Sequence, residues 1–91
     1  MMYEDEKDTD KKLEQTRELE LFTIRGILKS EQGRHFLWRC LENCYTFDNI
    51  FEADHNKHIY KSGSRRHGLW LDSEIREADS DLYYKMLNEN R

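Results

Sequence analysis

The sequence predicts an all-α fold, a small antiparallel bundle of three long helices plus a short C-terminal helix, preceded by a flexible acidic N-terminus. Three observations carry that expectation. The 91 residues include no proline, so the strongest interrupter of long helices is missing. Apolar residues recur at three- and four-residue spacing through most of the chain. Residues suited to helix N-termini (Ser30, Asp54 and Ser80) stand at the breaks between those stretches.

Each element follows in order. Residues 1–8, MMYEDEKD, are acid-rich and aperiodic, and are expected to form a disordered tail ahead of a single helical domain over 9–91. A first helix is placed at 9–29. Leu13, Leu21, Ile24, Ile27 and Leu28 fall near one face with Phe22 at its edge, and Lys12, Gln15, Arg17 and Glu18 fill the other side. Ser30 caps a second helix at 31–45, where Glu31 complements the positive end of the dipole. Phe36, Leu37, Cys40, Leu41 and Cys44 make its narrow apolar stripe. Trp38 lies off that stripe, either packed on another helix or exposed to a partner.

Residues 46–54 hold Phe47, Ile50 and Phe51 around Asp48 and Asn49, a connection expected to fold back onto the core. Asp54 or Asn56 caps a third helix at 56–78, in which Tyr60, Gly63, His67, Trp70 and Leu71 share a face. Gly63 and Gly68 within it each cost up to ~1 kcal/mol against alanine. They are therefore expected to admit another backbone or a bulky ring, with Trp38 the first candidate. Ser80 caps a last helix at 81–88, whose adhesive side is Leu82, Tyr83, Met86 and Leu87. The short connections predict that consecutive helices pack as antiparallel neighbours.

A chain this short makes one domain with a thin core. At 36% hydrophobic and 37% charged, with a mean hydropathy of −1.07, the composition lies near that of chains too polar to fold. Aromatic residues, at 12%, supply the large buried areas that argue for a folded middle. No apolar run approaches the ~18 residues that would span a bilayer, and the acidic start lacks the order of a signal peptide. Two cysteines fit a reducing compartment. A cytosolic protein with no membrane association is expected.

Chemistry finds little to stand on. Cys40 and Cys44 are four apart, and His55 and His58 three apart, but no CxxC or HExxH is present. The cysteines coincide with the apolar stripe, where packing thiols are the simpler reading. His67, beside Leu71 and Gly63, reads as a satisfied core or boundary histidine. No phosphate-binding loop and no nucleophile–base–orienter motif occurs, so no enzyme activity, cofactor, metal or small-molecule substrate is expected.

The most uneven charge lies on the third helix. Lys57, Lys61, Arg65 and Arg66 carry four positive charges, and residues 55–70 include no acid. The first three are stacked four apart and could track phosphates or an acidic protein. They could equally form a solvated face balancing the acids of 52–54 and 72–79. Arg34 and Arg65 could also be structural, with Glu31 and Glu42 available as partners, and Arg65 is expected to bond Glu42 across the interface between the second and third helices.

Two segments, GRHFLWRCLENC at 33–44 and YKSGSRRHGLWL at 60–71, share a pattern. It reads G-R-x-F-L-W-x-x-L-E-x-C, then an aromatic three residues before G-x-R-x-x-G-L. Over about residues 18–76 it resembles the Bbp-nineteen-like family of small tailed-phage proteins. That resemblance marks Gly33, Arg34, Trp38, Glu42, Gly63, Arg65 and Gly68 as family positions. The chain departs from the family in its longer acidic start and in His58, where threonine is common. The resemblance implies a small helical protein of phage origin in a virion, head-assembly or genome-packaging context and does not imply an enzyme; a non-enzymatic protein of the host cytoplasm, incorporated in the virion, is expected. Its partners would be virion or assembly proteins or a second copy, bound through Trp38, Tyr45 or the Tyr83–Met86 end. A nucleic-acid-binding accessory protein using Lys57, Lys61, Arg65 and Arg66 is the alternative. An inhibitor whose acidic tail mimics nucleic acid stands third.

Overall fold

The computed structural model describes residues 2–48 and 53–91. The expectation for Ile50 and Phe51 lies outside them. All regular structure among the described residues is helical: α1 (Met2–Leu28), α2 (Glu31–Asn43), α3 (His55–Ala78) and α4 (Ser80–Asn90), packed as a small bundle. Among the described residues, no helix is long and apolar enough to cross a membrane.

Helix ends mostly fall where local chemistry puts them. Ser30 caps α2 by accepting a 2.9 Å bond from the Gly33 N–H, and Asp54 caps α3 by accepting one of 3.0 Å from the Lys57 N–H. Three departures from expectation are informative. α1 begins at Met2 rather than near residue 9, because MYEDEKDT contains neither glycine nor proline to stop it; the segment taken for an irregular tail continues the helix. α2 stops at Asn43, short of Tyr45. Asp79, not Ser80, caps α4: its carboxylate accepts from the Leu82 N–H at 3.0 Å, while its own N–H donates to Ile75 O at 3.2 Å. One residue thus closes α3 and opens α4.

The end of α2 explains the lost turn. Tyr45 adopts φ 56°, in the left-handed region, and its N–H donates to Glu42 O at 3.0 Å. The Thr46 N–H donates to Leu41 O at 3.2 Å, completing the paired bonds that satisfy a helix's last carbonyls. Glycine usually fills such a position; a side chain there costs roughly 1–2 kcal/mol. The Tyr45 ring lies 5.6 Å from Lys61 Nζ on α3, which anchors the turn. Thr46, only 2% exposed, donates its hydroxyl to Leu41 O at 2.7 Å and so enters the interior without an unpaired polar group.

The core consists of Leu28, Leu37, Leu41, Ile75, Ala78, Tyr83, Met86 and Leu87, with Leu21, Ile24, Trp38, Leu71 and Leu82 packed around it. Each of the larger aliphatic members contributes roughly 1.5–3 kcal/mol by leaving water. Consecutive helices touch, but α1 packs mainly on α3 and α2 mainly on α4. Arg17, expected on the polar side, ties α1 to α3: its guanidinium grips Glu74 with both terminal nitrogens and reaches Glu77 at 2.6 Å. Every residue from 7 to 16, Leu13 among them, is exposed.

Two glycines set how closely these elements meet. A Cβ on Gly33 would stand 1.9 Å from Ile27 O, and one on Gly68 would stand 2.0 Å from Thr46 Oγ1 and 2.7 Å from Cys44 Cβ. The neighbour admitted at Gly68 is therefore the α2 turn, not Trp38. Gly63 is different, since a Cβ there would meet nothing within 4 Å, and the expectation of a close neighbour at that position is corrected. Thermal melts should separate them. Gly33→Ala and Gly68→Ala should each cost about 1–3 kcal/mol through forced displacement, while Gly63→Ala should gain up to ~1 kcal/mol from helix propensity.

Candidate functional site

Arg34 is buried, at 5% exposed. Its Nε donates to Glu89 Oε1 at 2.8 Å, and its Nη1 donates to Leu28 O, an α1 C-terminal carbonyl, at 2.9 Å. The second bond fills one of the acceptors every helix end leaves open. Beside it, His35 Nδ1 lies 3.1 Å from Asn90 Oδ1, so the start of α2 meets the end of α4. Arg34 thus ties α2 to α1 and α4, and its carboxylate is Glu89 rather than Glu31 or Glu42.

The expected Arg65–Glu42 bond does not form. Glu42 is exposed, no hydrogen bond or ion pair joins the two, and the buried Arg65 Nε has no hydrogen-bond partner among the described residues. Glu42 sits exposed in the last turn of α2. Trp38 stacks on Phe47, with centroids 5.3 Å apart and planes at 20°, and is half-buried against the core. Gly33, Arg34, Trp38 and Gly68 therefore belong to the packing of the bundle, whereas Glu42 and Gly63 face open space.

The four cations of α3 do not make one free stripe. Lys57 and Arg66 are exposed, but Lys61 lies half-buried over Tyr45, and Arg65 is half-buried as well. His67 is exposed and lies 5.2 Å, centroid to centroid, from Trp70, so it is not a core histidine. Cys40 and Cys44 are half-buried free thiols. Among the described residues, no three His, Cys, Asp or Glu side chains gather to hold a metal.

The surfaces expected to receive a partner are also rearranged. Tyr83 and Met86 are fully buried and so cannot themselves meet a partner, whereas Tyr84 between them is exposed. The Tyr83 hydroxyl donates to Asp72 Oδ1 at 2.7 Å and accepts from Arg76 Nη2 at 3.1 Å, which ties α4 to α3; burial and the bond to Asp72 push this phenol above its ordinary range. The surface that sequence reasoning missed lies on α1. Leu19 and Phe22 are 66% and 64% exposed, and with Gln15, Glu18, Leu21 and Arg25 they line an open groove of about 600 Å³. Phe22 stands on the outer face rather than at the edge of the core stripe. The signal was available: Leu19 and Phe22 are three apart and on the opposite side from Leu21, Ile24 and Leu28.

Electrostatics hold this outer helix in place. Hydrogen bonds from Arg17 keep the Glu74 carboxyl below its ordinary value, while Glu74 and Glu77 raise the Arg17 guanidinium further. Arg25 Nε donates to Ala78 O at 2.9 Å, a second tie between α1 and the end of α3.

Two outcomes are expected. The stabilisation from Glu74 should be complete above its unfolded value of about 4.5 and should disappear as pH falls from there through the lower folded value. Melting temperature against pH should therefore fall less steeply on the acid side in Glu74→Gln than in the parent. Arg34→Met should cost about 2–3 kcal/mol in denaturant unfolding, since it strands a carbonyl and a carboxylate, and Arg34→Lys should recover only part because an ammonium cannot fork to both.

No protein family, curated protein or solved structure matches the chain.

Proposed function

We propose that this chain is a non-enzymatic assembly protein of tailed-phage particles, binding virion, head or ejection components through a helical surface. The observation that carries the reading is the outer face of α1. Leu19 and Phe22 hold apolar area in water along an open groove while the core next to them is closed. Exposed apolar strips of this kind mark contact sites for other macromolecules, and a long helix with a polar border suits a second helix laid along it. The likeness of the 33–44 and 60–71 segments to the phage family supports the setting. On this reading the protein is made in the host cytoplasm and enters the particle.

Nucleic acid is the second reading, favoured by the absence of acids from residues 55–70 and by the exposure of Lys57 and Arg66. With Lys61 and Arg65 half-buried, few phosphates could be met, so the salt dependence of any binding would be shallow.

Mass spectrometry of purified particles of the encoding phage decides the first reading: the protein should be present in stoichiometric amounts, and its absence would remove it. Titration with duplex DNA at two salt concentrations decides the second. No binding is expected, and salt-sensitive binding lost in the Lys57→Ala/Arg66→Ala double variant would favour the DNA reading instead.

A further inference from the structure

Gln15, Leu19, Phe22 and Gly26 follow one another at spacings of four, three and four residues along α1. That repeat keeps one seam on one side of a helix and is the pattern by which two helices pack along their length. All four residues are exposed. Gly26 adds an independent observation. An interior glycine weakens a helix, yet a Cβ there would meet nothing within 4 Å, so no contact among the described residues requires it. A bare backbone on the outer face gives a second helix room to come close.

We propose that the occupant of this face is a second copy of the chain, with the two α1 helices antiparallel across a twofold axis between Leu19 and Phe22. The charges select that occupant. In this register Leu19 of one copy faces Phe22 of the other, and Gln15 faces Gly26. Glu18 and Arg25 are seven residues apart and border the same edge of the seam, and both line the groove. Antiparallel pairing sets Glu18 of each copy against Arg25 of the other, twice by symmetry, as a self-complementary patch requires. A parallel copy would instead put Thr23 and Ser30 opposite them and gain no ion pair. The bond from Arg25 Nε to Ala78 O fixes the arm and leaves its terminal nitrogens for the second carboxylate.

The seam is short. Lys12 and Lys29, one step beyond its ends, oppose each other in this register and confine the contact to Gln15 through Gly26. That is roughly 18 Å of helix. The interface falls below the ~1,200 Å² of standard complexes, so association is weak, reversible and reduced by salt. The inference rests on the reading of α1 as a docking surface and names its partner.

Sedimentation velocity of the full chain over a range of concentrations tests it. A monomer–dimer equilibrium is expected, and Phe22→Asp should abolish it without changing the circular dichroism melt. Glu18→Lys should weaken it at least about tenfold. Mixing Glu18→Lys with Arg25→Glu should restore association that neither shows alone; should Arg25→Glu fail to fold, Phe22→Asp and Glu18→Lys decide the matter. A chain that remains monomeric to about 1 mM overturns the inference, as does a dimer that both of those variants leave intact. A monomer found in particles leaves the functional reading standing and removes self-association; a dimer absent from particles does the reverse.

Discussion

One guanidinium joins three of the four helices. Arg34 belongs to α2, takes the Leu28 carbonyl from the end of α1, and meets the Glu89 carboxylate on α4. A charged group so deeply buried is tolerable only when its donors are matched, because an unpaired one would cost more than the packing around it returns. The arrangement therefore works as a specification as much as a source of stability. Leu28, Leu37 and Leu87 could pack in several ways, but few of them would bring a carbonyl and a carboxylate to the same fork. Gly33 completes the constraint, since Ile27 O lies where its side chain would be. The glycine and arginine are adjacent because one lets α1 come close and the other holds it there.

Much of this was legible from the residue types. Ser30 and Asp54 announce helix starts through short side chains that satisfy bare N–H groups, and that local chemistry survives into the fold. Gly68 in a helix pointed to close packing because a glycine there otherwise only weakens the helix. The failures have a common origin in partners that are distant in sequence. Arg17 looked solvated because Glu74 and Glu77 lie on another helix. Asp72 and Glu74 looked like surface acids because Tyr83 and Arg17 could not be seen to meet them. Gly63 shows the converse, a glycine whose spacing matched the family pattern but which faces open space. Tyr45 at positive φ breaks the rule that reserves such a position for glycine, and the Lys61 contact that compensates it lies on α3.

The candidate surface illustrates how amphipathic reading can mislead. A helix used on two sides gives a blurred periodicity, because the core stripe of Leu21, Ile24 and Leu28 and the outer stripe of Leu19 and Phe22 overlap in the sequence. Placing Phe22 at the edge of the core stripe hides the second. Once Leu21 and Ile24 are placed against the core, Leu19 and Phe22 stand out as apolar area with no role in folding the monomer. The basic residues of α3 behave in the opposite way: four charges that are prominent in the sequence divide into two that are half-buried and two that face water.

The pairing of α1 with α3 and of α2 with α4 has a further consequence. The two contacts interlock along the chain, so a cut in either of the first two connections separates at least one helix from its main partner. Neither the first two helices nor the last two form a closed unit, since each pair lacks both principal interfaces. Local order in one half cannot be completed without the other. Folding should accordingly be a single concerted event, with every part of the bundle sharing one free energy of opening rather than a graded series.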